Sequence, residues 1–130
     1  MDLTLVHLDN PTETRTFDRG RFELYSVGPM TIGRATYEPG WRWSEHVGAP
    51  AGASSCMGEH VGAEAGASSC MVEHVGIVIS GRAAVKMDGG EERIMGPGDL
   101  FYVPPGHDSW VVGDESYVSL HLLGSEDYAA

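Results

Sequence analysis

The chain has 130 residues, with 18 glycines, 7 prolines and a formal net charge of −11 from nineteen acidic and eight basic side chains. That length supports one core without disulfide staples and argues against two domains, while the acidity excludes a nucleic-acid partner, whose non-specific affinity rests on clustered Lys and Arg. No apolar run approaches the roughly twenty residues that span a bilayer, and the opening MDLTLVHLDNPTETR lacks a basic head and apolar middle, so no membrane partner and a cytoplasmic location are expected.

Alternation of apolar and polar residues predicts strands, in chain order, over Leu3–His7, Arg21–Val27, Met30–Glu38 and Trp41–Val47. It then predicts His74–Ser80, Ala83–Met87, Glu91–Met95, Asp99–Val103, Ser109–Val112 and Tyr117–Leu123. Turn chemistry separates them at Glu38-Pro39-Gly40, Ser80-Gly81-Arg82, Asp88-Gly89-Gly90, Gly96-Pro97-Gly98-Asp99 and Pro104-Pro105-Gly106. Stops at this regular spacing predict an all-β sandwich or barrel occupying residues 1–130 as a single domain.

Between the fourth and fifth predicted strands lies a repeat. Glu45–Gly58 (EHVGAPAGASSCMG) is followed at once by Glu59–Val72 (EHVGAEAGASSCMV), and a third EHVG opens at Glu73, which reads as a tandem duplication. One copy suffices to join Trp41–Val47 to His74–Ser80 as antiparallel neighbours; pairing one further strand between them would reverse the direction of everything downstream. The insertion, about 48–73, is therefore expected to be looped out, with short helical turns at Ala49–Ser55 and Glu64–Ser69 and with His60 exposed and idle. Cys56 and Cys70 occupy equivalent places in the two copies and are expected as free thiols. On an extended strand Cys70 would lie about 13 Å from His74, so a packing role is expected for it.

Around these turns the sequence resembles the cupin family, small jelly-roll β-barrels that commonly hold a metal ion inside. The first family motif runs Gly, five residues, His-x-His, a short variable gap, Glu, six residues, Gly; Gly40, His46 and Gly81 fit it, with Gly48 in the place of the second His and His74 in that of the Glu. The second runs Gly, five residues, Pro-x-Gly, two residues, His, three residues, Asn; Gly98, Pro104 and Gly106 fit, with Ser109 in the ligand place, His107 two residues before it, and Gly113 in the place of the Asn. The resemblance covers about residues 28–124, and GPGDLFYVPPGH is its most specific part. It implies a cupin-like antiparallel β-barrel whose metal signature is degraded.

His107 and Ser109 share a strand face, so His46, His74 and His107 form the expected ligand set for a divalent transition metal (Zn, Fe, Ni, Mn or Cu), beside a pocket lined by Trp43, Tyr102, Ser109 and Trp110. The expected partner is a small organic molecule, bound or transformed there. One rival is a metal-free binding or sensor module that uses the histidines as hydrogen-bond donors; another is a repeat-expanded variant without activity. Neither a nucleophile system nor a phosphate loop is evident. The family resemblance also implies a homodimer, for which Arg21–Val27 would serve as an edge strand.

Overall fold

The computed structural model describes residues 2–48, 70–123 and 125. β1 (Glu13–Phe17), β2 (Gly20–Val27) and β3 (Met30–Tyr37) form consecutive antiparallel hairpins. Each is closed by a two-residue turn with one left-handed residue, Arg19 at φ 64° in the first and Gly28 at φ 58° in the second. The chain continues through β4 (His74–Ser80), β5 (Arg82–Met87), β6 (Glu92–Met95), β7 (Leu100–Val103), β8 (His107–Val112) and β9 (Tyr117–Leu123). Two sheets result, one of six strands in the order β1-β2-β3-β9-β4-β7 and one of three in the order β6-β5-β8. The expected antiparallel barrel is observed.

Two local expectations fail, each for a reason outside the local pattern. Leu3–His7 has strand-like alternation yet no strand partner among the described residues, and Leu3 and Leu5 are each 88% exposed. The strand that does open the sheet is the polar β1, whose Arg15 reaches Glu13 at 2.7 Å, and charged residues suit an edge position. Trp41–Val47 is likewise not a strand. Its second half is a π-helical turn, Ser44–Gly48, in which the N–H groups of Glu45 and His46 donate to the carbonyl of Arg42 at 3.1 and 2.9 Å. Asp108, far away in sequence, holds this turn by accepting from Arg42 Nε at 2.9 Å, from the Ser44 N–H at 3.0 Å and from Ser44 Oγ at 2.9 Å.

The expected pairing of Trp41–Val47 with His74–Ser80 as antiparallel neighbours does not form, because β4 pairs with β9 and β7 and not with a strand at 41–47. β2 pairs with β1 on one side and β3 on the other, so Arg21–Val27 is no edge. Of the insertion expected at about 48–73, residues 49–69 lie outside the described residues, with both expected helical turns, His60 and Cys56, while at its downstream end Cys70 and Val72 are buried in the core and not looped out.

The core lies between the sheets. Trp41 stacks on Tyr37 with ring centroids 3.7 Å apart and planes within 5°, and Phe22, Trp43, Val78, Ala83 and Tyr117 complete the packing. On β4 the inward positions are His74, Gly76 and Val78, and on β9 they are Tyr117, Ser119 and His121. Gly76 lies where β4 passes close to β9 and β7: a Cβ there would strike the Leu120 carbonyl oxygen and come within 2.7 Å of the Phe101 ring. Gly76→Ala is expected to cost about 2–3 kcal/mol in urea unfolding, against a change within about 0.5 kcal/mol for Gly89→Ala, since a Cβ at Gly89 meets nothing within 4 Å. Equal stability of the two variants would contradict the close approach of β4 to β9.

Candidate metal centre

Three elements bring ligand atoms together inside the barrel. β4 begins with His74, β8 begins with His107, and between the described segments the chain re-enters at Cys70, whose backbone bridges to His107. That bridge has the Cys70 N–H donating to the His107 carbonyl, while the Cys70 carbonyl accepts from the N–H groups of Gly106 at 2.7 Å and His107 at 3.1 Å. The side chains follow the backbone. Cys70 Sγ lies 3.6 Å from His74 Nε2, and one ligand atom each from Cys70, His74 and His107 fall within 4.8 Å of one another, all on buried residues. His121 closes the group, its ring centroid 5.2 Å from that of His74, while the His107 ring is 5.3 Å from His74 on another side.

Electrostatics leaves these rings as neutral ligands. Burial, followed by the neighbouring His121 and His107, holds the His74 imidazolium well below its usual range. Burial also lowers His107, although its bond to the Pro104 carbonyl and the charges of Asp108 and Asp88 act the other way. His121 is pushed down to about 4, mainly by burial. The tautomer of His107 follows from its partner: a carbonyl can only accept, so the 2.8 Å contact to Pro104 puts the proton on Nδ1 and leaves the Nε2 lone pair for a ligand.

The sequence-predicted site is only partly assembled. His74 and His107 meet as expected, but His46 is not part of their group; its Nδ1 accepts from the Arg42 N–H at 2.9 Å and its Nε2 faces Asp18 at 3.6 Å. Trp43 and Ser109 line the cavity beside the histidines, whereas Tyr102 is 59% exposed and donates to Glu73 at 2.9 Å, and Trp110 lies under the Arg42 guanidinium at 4.3 Å. Cys70 was placed too far away by assuming an extended strand from 70 to 74; residues 71–73 are in fact not a strand, and the sulfur turns back onto His74. Nor is it a free thiol, because Cys70 is disulfide-bonded and Cys56 is the chain's only other cysteine. Counting the first motif backwards from Gly81 would have found it: His74 stands in the Glu place and Cys70, one short gap earlier, in that of the second His.

The inner cavity beside these rings is small, about 40 Å³, and walled by Trp41, Trp43, Phe101 and Val103. A water molecule takes about 30 Å³ of liquid, and pockets for drug-sized ligands are roughly tenfold larger than this cavity, so an ion with one small ligand fits and an organic molecule of ordinary size does not. A wider groove of about 400 Å³ runs outside, between β6 and β7, and shares Val85, Met95, Phe101 and Val103 with the inner cavity. With the sulfur reduced, the Cys/His/His set suits Zn, Cu or Fe, and it suits Mn less because the group contains no carboxylate.

Residues 59–122 match the cupin domain family, a stretch that starts with the second copy of the repeat. A structural-genomics protein of unknown function from Rhizobium leguminosarum aligns over 95% of this chain and 97% of its own, with TM-score 0.59 and 20% identity. A cupin-like protein from Thermotoga maritima aligns over 96% of this chain and 82% of its own, with TM-score 0.51 and 15% identity. The Lactobacillus farciminis oxalate decarboxylase, in a formate complex, aligns over 94% of this chain and 33% of its own, with TM-score 0.58 and 15% identity. Likeness at these identities establishes the fold. No curated relative matches the sequence. The domain match and the cupin-like neighbours together support the cupin superfamily.

Proposed function

We propose, from that superfamily premise, that the chain is a small cupin that binds one transition-metal ion on Cys70, His74 and His107 and uses the site to hold or transform a small organic molecule. The observation that carries the reading is the meeting of the three ligand atoms within 4.8 Å at buried positions. A bound ion would act as a Lewis acid towards an oxygen of water or ligand. The chain's own residues do the rest. The Pro104 carbonyl orients His107, the walls of Trp41, Trp43 and Phe101 limit access of bulk water, and the outer groove receives the body of an organic molecule while its smallest end points inwards past Phe101.

The test is metal uptake by untagged protein in its reduced form, read by elemental analysis and calorimetric titration. About one Zn per chain is expected. His107→Ala should weaken uptake by more than about tenfold, the scale set by loss of mere outer-shell partners, and His46→Ala should leave it unchanged. Equal losses in both variants would restore the set read from sequence, and no uptake by the parent chain would remove the metal. A metal-free binding module is favoured by one further observation: the buried indole N–H groups of Trp41 and Trp43 have no hydrogen-bond partner among the described residues, and an acceptor on a ligand would satisfy them. Ligand affinity that survives exhaustive chelation would decide for that module.

A further inference from the structure

Cys70 holds two roles that exclude each other. Its sulfur stands 3.6 Å from His74 Nε2, in the group whose three ligand atoms lie within 4.8 Å. The same sulfur is committed to a disulfide. A metal ion binds the thiolate, and a disulfide sulfur carries no such charge. In the oxidised chain the group is reduced to two neutral imidazoles, an incomplete set for a tetrahedral protein site.

We infer that the metal centre, taken as proposed above, is redox-gated: closed while Cys70 is in its disulfide, and opened when a dithiol reduces that bond. A dithiol thiolate attacks the disulfide, the bond between the two protein sulfurs breaks, and a mixed disulfide forms; the second thiol of the reductant then displaces the remaining protein sulfur, leaving two protein thiols and one oxidised dithiol. Both protein sulfurs are freed in these two steps, the buried Cys70 among them. Cys70 is released beside His74 and His107, where the ion takes it up; any proton it has gained goes to water.

Two features make the sulfur a ligand in waiting. Its main chain is fixed to Gly106 and His107 by the backbone bridge, so the position of Cys70 is set by β8 independently of the disulfide. His107 in turn has its tautomer fixed by Pro104, with Nε2 free of a proton in either redox state. Reduction therefore adds a ligand to a frame already in place.

The experiment uses the full chain and Co(II) as the probe. Protein is prepared oxidised, or reduced with dithiothreitol and desalted under anaerobic conditions, and each form is titrated while the near-ultraviolet absorption is followed. The reduced chain should bind about one Co(II) with a thiolate-to-cobalt charge-transfer band, and the oxidised chain should lack the band and bind on the order of tenfold more weakly or worse. Cys56→Ser should bind like the reduced chain without any reductant, and Cys70→Ser should show no band in either state. Equal binding by oxidised and reduced chains would overturn the gate while leaving the metal reading intact. Absence of binding by every form, Cys56→Ser included, would remove both.

Discussion

Trp41→Ala should cost about 3–5 kcal/mol, the range for truncating a buried Trp. Its indole is 1% exposed, stacks on Tyr37 at 3.7 Å and lies 6.4 Å from Phe17. The same residue accepts a backbone bond from Val111 at 3.0 Å, so it ties the six-stranded sheet to β8 of the other. Alanine would keep that bond and lose the packing, which separates the two contributions. Trp110→Ala is the control: this ring is half-buried beneath Arg42, a contact at a partly exposed site worth about 0.5–1 kcal/mol. Denaturant unfolding of both variants checks the comparison; a loss below about 1 kcal/mol at Trp41 would mean that the Tyr37–Trp41 stack is not the centre of the core.

The metal-free chain should lose stability between about pH 6.5 and pH 4. His74, His107 and His121 all have folded values below the usual 6.5, with burial as the leading cause. The unfolded chain takes up protons as pH falls through 6.5 and the folded chain does not, so the stabilisation is fully present above 6.5 and is lost as pH falls through the folded values. For His121, the change from 6.5 to about 4 corresponds to about 3 kcal/mol at about 1.4 kcal/mol per pH unit. The other two act in the same direction. Urea midpoints at pH 7.5 and pH 4.5 measure the effect, and His121→Leu should flatten it. A parent chain equally stable at both values would show that these rings already carry protons in the folded state.

Much of the barrel was legible from alternation and turn chemistry. β4 and β9 fall on the predicted residues, and β2, β3, β5, β6, β7 and β8 differ from prediction by one or two residues at an end. His121 was passed over because it stands in no family motif, and the strand that carries it, β9, inverts the usual pattern. Its apolar residues Val118, Leu120 and Leu122 are on the more exposed face, and Tyr117, Ser119 and His121 face inwards. Reading burial from hydropathy puts that histidine on the wrong side, although a polar row facing the core is itself what a site leaves on a strand. The turn at Trp41–Val47 was illegible for another reason: the carboxylate that holds it belongs to Asp108, and no local window contains both. With that turn misread as a strand, His46 was counted as inward; Cys70 was counted as remote because residues 70–74 were read as extended.

The backbone bridge from Cys70 to His107 bears on how this gene can vary. The sulfur takes its place from β8, and the centre draws on the stretch from Cys70 to His74 at the downstream end of the repeat. Whole copies can then be gained or lost upstream without disturbing the three ligands. Contraction to one copy would have a sharper effect, because it leaves one cysteine in the chain. Under the gate inferred above, that allele keeps the ligand and has no intrachain partner to close it, so repeat number alone would distinguish a centre that is always open from one under redox control.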